Sequence, residues 1–454
     1  MTGVAQTSSH PWDSVSTGRA WSSLGLLSIL YILSFIDRLI LALLIDPVKQ
    51  DLHVSDVQIG LLIGTSFAIV YSIAGLPIAR WADVGNRKLL IFLGAIVWGI
   101  STAAAAFATS FNDLLLLRIG VAVGEAALTP AAMSLLSDMF PPSRRALPIS
   151  IYVMVGVCGG SGAMIAGAAV LQLVSHIGAD LPIIGGLAAW RLTLLLVGLP
   201  AILFALLIPF ALPNPRRQAL PPGEGAKARD ILAHYRANAG AYTGFYIVTA
   251  LISSVNFSIL TWYPTHLIRS YGMVASDAGY LFGLFGVSAS LVGGLLLPFV
   301  ARRFVARGRF DGPMLIALAV GIISTPLLVI ALLAHSATIS MAVVIVPLIL
   351  QIGLGILFAS TAPLLAPGHI RGQLVALYYL VLTLVGLGIG PTLVAAIAEH
   401  VAFADGSISH ALVGIILLFA PVQIVAILWT RRAFARTHAA AFASGQTSEA
   451  MAPS

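Results

Sequence analysis

The chain has 454 residues, 59% of them hydrophobic and only 9% charged, with a formal net charge of +7 and a mean hydropathy of +1.00. That balance excludes a water-soluble globule. The positive excess does not indicate nucleic acid, because it collects on one side of a membrane trace.

Each apolar stretch of about 20 residues can cross a hydrocarbon core roughly 30 Å thick. About twelve are legible, over 21–46, 56–79, 88–108, 111–139, 146–174, 188–212, 241–270, 276–301, 313–334, 337–362, 371–398 and 410–430. Backbone polar groups in lipid must bond within their own segment, so these are predicted helices; the alternation of a membrane strand is absent.

The first 18 residues are polar, and the apolar run after them is too long and too charged at its centre for a cleavable signal. In that first span Asp37 and Arg38 stand side by side. A charge at bilayer depth costs at least about 2.5–3.5 kcal/mol on insertion scales, so it normally lines a polar cavity and has a partner. Val54-Ser55-Asp56 reads as an N-cap opening the second span. The fourth span supplies the partners, Arg118 and Glu125. Seven residues apart, they are about 20° out of phase and share one helix face.

The fifth span holds Gly156, Gly159, Gly160, Gly162 and Gly167, which permit close helix approach, and the one cysteine, Cys158, expected as a small packing residue. Residues 213–239 are rich in Pro, Gly and charge and cannot span. Further on, Asn256 and Thr261, then Gln351, then Tyr378 and Tyr379 are polar candidates for a cavity wall, although a lone polar residue in a membrane helix more often bonds a neighbouring helix. Ala275-Ser276-Asp277 reads as an N-cap for the eighth span. His176, His266, His335 and His400 fall near span ends, where solvation is expected. The Ala/Ser-rich terminus is expected to be disordered.

Nineteen of the 24 Lys and Arg fall on one side of the trace; Lys49 and Arg269 alone fall on the other. The positive-inside rule then places both termini in the cytoplasm. The expected organisation is a cytoplasmic tail (1–18), a six-helix bundle (19–212), a cytoplasmic linker (213–240), a second six-helix bundle (241–432) and a disordered tail (433–454). A faint repeat supports two related halves. The second span ends in Pro77 to Arg87 and the eighth in Pro298 to Arg309, at nearly the same distance from their N-cap signals.

The stretch Gly75 to Lys88, through Ala79, Asp83, Arg87 and Lys88, resembles the loop signature between the second and third helices of major facilitators. It departs from that pattern at Val84, where the family usually has Arg, and at Ala79, where Gly is common. A narrower resemblance is to the Spinster group. It rests on Phe35-Ile-Asp37-Arg38; on Phe67, Tyr71, Pro77 and Asn86-Arg87-Lys88; and on Arg118, Gly124-Glu125-Ala126, Asp138, Phe140, Arg145 and Tyr152. It covers about the first 160 residues. It implies an all-α membrane protein of major facilitator fold, twelve helices in two pseudo-symmetric bundles working by alternating access. It also implies export or proton-coupled carriage of lysolipids or sphingoid phosphates, with gating by Asp83, Arg87, Lys88, Asp138 and Arg145. The glycine-rich fifth span is similar to that of antiporters but lacks their proline.

The residues themselves suit such a carrier. Moving a cation toward or away from a buried carboxylate changes its proton affinity across the working range. Asp37 or Glu125 would carry the proton with Arg118 as the exchangeable partner. A static ion-pair cluster is the competing reading, weakened because buried pairs seldom recover their desolvation cost. Arg38 would either grip an anionic head through its guanidinium fork or only neutralise Asp37 or Glu125. With Arg118, Glu125, Asn256, Tyr378 and Tyr379 it forms the expected substrate wall. The expected substrate is a small anionic amphiphile; a polar organic anion, drug or sugar-like solute is the alternative. No P-loop, His-Glu-x-x-His or nucleophile–base set is visible, so no enzyme, metal or cofactor is expected beyond a proton gradient. A monomer in the cell inner membrane, surrounded by lipid and without nucleic acid, completes the expectation.

Overall fold

The structure, a computed structural model, describes residues 11–177, 187–215, 217, 228–367, 370–401 and 408–443. Fourteen principal helices run in order: α1 (Thr17–Leu43), α2 (Ile45–Leu52), α3 (Asp56–Val84), α4 (Arg87–Ala105), α5 (Phe111–Met139), α6 (Ala146–His176), α7 (Ala189–Ala211), α8 (Ala228–Ala237), α9 (Ala239–Tyr271), α10 (Ala275–Ala306), α11 (Gly312–Leu332), α12 (Ala337–Leu365), α13 (Arg371–His400) and α14 (Ile408–Ala443). All but α2 and α8 are long and apolar enough to cross a membrane, twelve in all. No strand occurs among the described residues.

Caps set several boundaries. Ser55 and Gln58 form a reciprocal capping box at α3, Ser110 and Asp113 another at α5, and Asn86 accepts from the Leu89 N–H at α4. The predicted cap at Ser276 does not form. Helix α10 starts two residues earlier, at Ala275, with Val274 at its cap position and no side-chain bond there.

Small residues bring helices together where lipid supplies no hydrophobic drive. A Cβ on Gly94 would stand 2.6 Å from the Gly124 carbonyl, and one on Gly353 would stand 2.5 Å from that of Gly293. So α4 meets α5, and α10 meets α12, backbone to backbone. In the α9–α14 region the core is aromatic: Phe245 packs against Phe358, Tyr378 and Phe434.

The described residues pack as two compact units. The first draws on Met1–Arg38, Val70–Ala163 and Leu173–Pro222, and the second on Leu39–Ile69, Met164–Gln172 and Gly223–Ser454. In the second unit, the ends of α1 and α3 lie against helices from the other half of the sequence. There α3 and α13 each widen into one π turn, Leu61–Thr65 and Leu382–Leu387. The two helices bond crosswise beside these turns: Thr65 Oγ1 donates to the Gly388 carbonyl at 2.6 Å, and Thr392 Oγ1 to the Gly60 carbonyl at 2.9 Å.

Two expectations need correcting. Residues 433–443 are helical, not disordered. Alanine favours the helix, and Phe434 and His438 are buried, with Phe310 packed on His438 and Phe442. The rest of the expected tail lies outside the described residues. His266 is not solvated but 2% exposed, set between Tyr263 and Tyr271 and bonded to Ser270 at 2.9 Å. His176, His335 and His400 are exposed as expected.

Candidate functional site

Asp37, Arg38, Arg118 and Glu125 converge within the first unit. One turn of α1 sends its two charges to different places. The Asp37 carboxylate accepts a hydrogen bond from Thr102 of α4 and lies 3.7 Å from Arg118 of α5. Arg38 forms a hydrogen-bonded ion pair with Glu125, also on α5. Arg118 additionally donates to the backbone carbonyl of Arg38 at 3.1 Å, which fixes it against α1. Two cations and two carboxylates balance formally, as low-dielectric surroundings require.

The pairing is incomplete. Glu125 Oε1 is buried and has no hydrogen-bond partner among the described residues, and the Asp37–Arg118 separation is longer than a hydrogen bond. A cluster serving only to hold helices together would be expected to use its full bonding capacity. The two arginines also differ in access. Arg118 has 4% of its side chain exposed, whereas Arg38 has 20%. Arg38 lies 5.5 Å from the Phe35 ring and 5.4 Å from the Tyr71 ring, a partly open aromatic surround suited to a guanidinium.

The glycines of α6 explain how α1 presents this group. A Cβ on Gly156 would meet the Tyr31 ring at 2.6 Å, and one on Gly159 the Phe35 ring at 2.9 Å. Tyr31 then stacks on Tyr152 at 4.9 Å. Gly160 and Gly162 meet nothing within 4 Å, so close packing accounts for only part of the glycine run.

The other sequence candidates separate. Asn256 donates to the Gln351 carbonyl at 3.4 Å and is half-buried. Tyr378 is buried in the aromatic core against Phe245, so it packs and does not line an open wall; Tyr379 is exposed. Of the gating candidates, Arg87 and Asp138 form a buried ion pair, which Ser134 Oγ supplements by accepting from Arg87 at 3.1 Å. Arg87 also donates to the Pro215 carbonyl at 2.7 Å, and Lys88 donates to the Pro209 carbonyl. Arg145 donates to the Phe140 carbonyl at 3.5 Å. Asp83 is exposed and makes no ion pair among the described residues.

Sequence reasoning missed three partners. Thr102 belongs to the one hydroxyl pair in an otherwise apolar third span, a weak signal that was present. Arg217 donates to the Ala82 and Gly85 carbonyls at 2.7 and 2.6 Å. It brings a guanidinium to the loop where Val84 lacks one. The third is an ion-pair cluster in the second unit. Arg269 bonds Asp46 at 2.6 Å and Asp56 at 2.9 Å, and Lys49 reaches Asp56 at 2.7 Å. The two basic residues that stood apart in the charge trace thus share one cluster.

A sequence profile described as the Major Facilitator Superfamily matches residues 27–391. The chain belongs to that superfamily. Among relatives of this major facilitator, an "MFS-type efflux pump" of Mycolicibacterium smegmatis is 30% identical over 64% of this chain and 64% of its own length. "Protein spinster homolog 3" of Danio rerio is 26% identical over 72% of this chain and 66% of its own. Both matches therefore span just under two thirds of the relative. The crystal structure of a bacterial homologue of the human lysosomal transporter Spinster, described as inward-facing and unoccupied, superposes with a TM-score of 0.79. It is 25% identical and covers 94% of this chain and 99% of that one. The chain is thus a Spinster-like, multi-pass member of a transporter superfamily, with its twelve-helix fold.

Proposed function

We infer that this major facilitator is a proton-coupled, alternating-access carrier of an anionic amphiphile such as a lysophospholipid or sphingoid phosphate. One observation carries the reading: a partly accessible Arg38 is held by a buried Glu125 that keeps one oxygen unpaired. An anionic head competing for Arg38 would release Glu125, and a buried carboxylate that loses its cation must find a proton or another cation. Substrate binding and proton binding then become linked through one ion pair. Asp37 and Arg118 form a second, looser exchange pair beside it.

For alternating access, the Arg269 latch and the α3–α13 crossing close one end, and opening that end requires them to part. The charge trace favours cytoplasmic termini and a cell inner membrane location, with the latch on the outer side. The name of the M. smegmatis relative favours a second reading, export of a drug-like amphiphile, which the same Arg38 site would serve if the solute is anionic.

Purified protein can be tested by thermal stabilisation with matched lysolipids that carry or lack an anionic head. Stabilisation follows RT ln(1 + [L]/Kd), about 2.7 kcal/mol at a hundredfold excess over Kd. The anionic lysolipid should stabilise wild type, and Arg38→Lys should weaken that effect because an ammonium cannot offer the bidentate fork. Equal stabilisation by charged and neutral lipids in both proteins would reject head-group recognition at Arg38.

A further inference from the structure

Helix α10 carries an apolar groove unrelated to the four-charge cluster. Val292, Gly294, Leu295, Leu296, Pro298 and Phe299 line a shallow, open groove of about 630 Å³ along this helix, and Arg302 stands at its end. Leu295 is 77% exposed, and Val292, Leu296 and Phe299 are exposed beside it. The neighbouring Gly293 is taken up against α12. Pro298 has no N–H, so the Gly294 carbonyl one turn earlier lacks its helical donor and gives the groove a polar spot.

Arginines crowd the Arg302 end. Arg302, Arg303, Arg307 and Arg309 are all exposed, and Arg303 lies 4.3 Å from the Phe299 ring. Helix α14 brings Arg431 to the same region, with Arg432 and Arg436 next along that helix. Asp311 joins the two segments, taking Arg431 at 2.9 Å and Arg309 at 3.5 Å. Within 302–311 and 431–436 the sequence holds seven arginines and this single carboxylate.

Topology alone asks only for basic charge at a helix end. Here the charge terminates a groove whose other lining residues are all non-polar, so one ligand must satisfy both parts. A soluble phosphate has no use for the groove, and a neutral lipid has no net charge for the arginines. We propose that this groove binds an acidic glycerophospholipid of the surrounding leaflet. Its phosphate rests on Arg302 and Arg303, and one acyl chain lies along Leu295 to Phe299. Guanidinium groups suit phosphate through paired N–H donors, and clustered basic residues at a leaflet surface attract acidic headgroups.

The test is native mass spectrometry of the full chain titrated with phosphatidylglycerol or phosphatidylethanolamine of matched acyl chains. Wild type should retain phosphatidylglycerol preferentially. Arg302→Gln and Arg303→Gln should each lower its retention about fivefold, with little change for phosphatidylethanolamine. Leu295→Trp keeps every arginine but fills the groove, and should also lose phosphatidylglycerol. All three changes fall at exposed positions, and melting without added lipid is expected to match wild type. Equal retention of both lipids by wild type would overturn the proposal. Retention unchanged in Leu295→Trp would reduce the site to surface charge and overturn it too, as would full displacement by inorganic phosphate.

Discussion

Arg269 offers the sharpest perturbation of the proposed transport cycle. Its Nη1 and Nη2 reach the two oxygens of Asp56 at 3.1 and 2.9 Å, while Nε and Nη2 converge on Asp46 Oδ1 at 2.9 and 2.6 Å. The side chains of Arg269, Asp46 and Asp56 are 28%, 26% and 13% exposed. A fully exposed pair contributes about 0.2–1 kcal/mol, and removing one member of a buried pair costs about 3–5 kcal/mol. This partly buried fork belongs between them, so Arg269→Ala should cost the latched state about 2 kcal/mol. That energy corresponds to about a thirtyfold shift in the latched-to-open ratio. Arg269→Lys keeps the charge but cannot reach both carboxylates with paired donors, so about half the effect is expected. Spin labels at Gln50→Cys on α2 and Val274→Cys beside α9, in a Cys158→Ser background, would report the separation across the latch in nanodiscs. The long-distance population should grow in the order wild type, Arg269→Lys, Arg269→Ala. Identical distance distributions in all three would refute the claim that this cluster holds the end shut.

Two further perturbations separate roles inside the first unit. Thr102→Val removes the hydroxyl that donates to Asp37 while keeping its shape, and should cost about 1.5–3 kcal/mol in stability and alter the pH profile of transport; Ser101→Ala next to it should leave the profile unchanged. At the Arg87 end, Asp138→Asn leaves a buried guanidinium without its carboxylate and should destabilise by about 3 kcal/mol in thermal unfolding. Asp83→Asn, on an exposed side chain, should stay within about 0.5 kcal/mol. A larger loss at Asp83 than at Asp138 would show that the loop signature, and not the observed ion pair, governs that end.

The twelve spans were legible because lipid imposes a single strong rule, long apolar helices, and sequence carries it directly. Their ends were less so. Residues 433–443 read as part of a disordered tail, yet Phe434, His438 and Phe442 recur at helical spacing; His438 and Phe442 find Phe310, and Phe434 finds Phe245, contacts only the fold reveals. The four central charges were legible because a charge among apolar residues has few innocent explanations. Their partition was not: Asp37 with Thr102 and Arg118, and Arg38 with Glu125, depends on the rotation of α1 against α5. The sequence treated Tyr378 and Tyr379 alike, although adjacent helical residues face about 100° apart, and only Tyr378 enters the core. The π turns in α3 and α13 left no mark in composition. Lys49 and Arg269 were noticed only as exceptions to a charge rule, and their partnership emerged from three dimensions.

Proton coupling through Asp37 and Glu125 is the central claim, and substrate-dependent proton movement tests it most directly. The protein would be reconstituted in proteoliposomes with a trapped pH indicator and presented with an anionic lysophospholipid, in wild type, Asp37→Asn and Glu125→Gln. Wild type should move protons only when substrate is present, and an imposed pH gradient should accelerate uptake. At least one variant should lose that proton flux and gradient response while still exchanging substrate across the membrane without a gradient. Substrate-driven proton flux at the wild-type rate in both variants would contradict the account, and so would wild-type uptake that ignores the gradient.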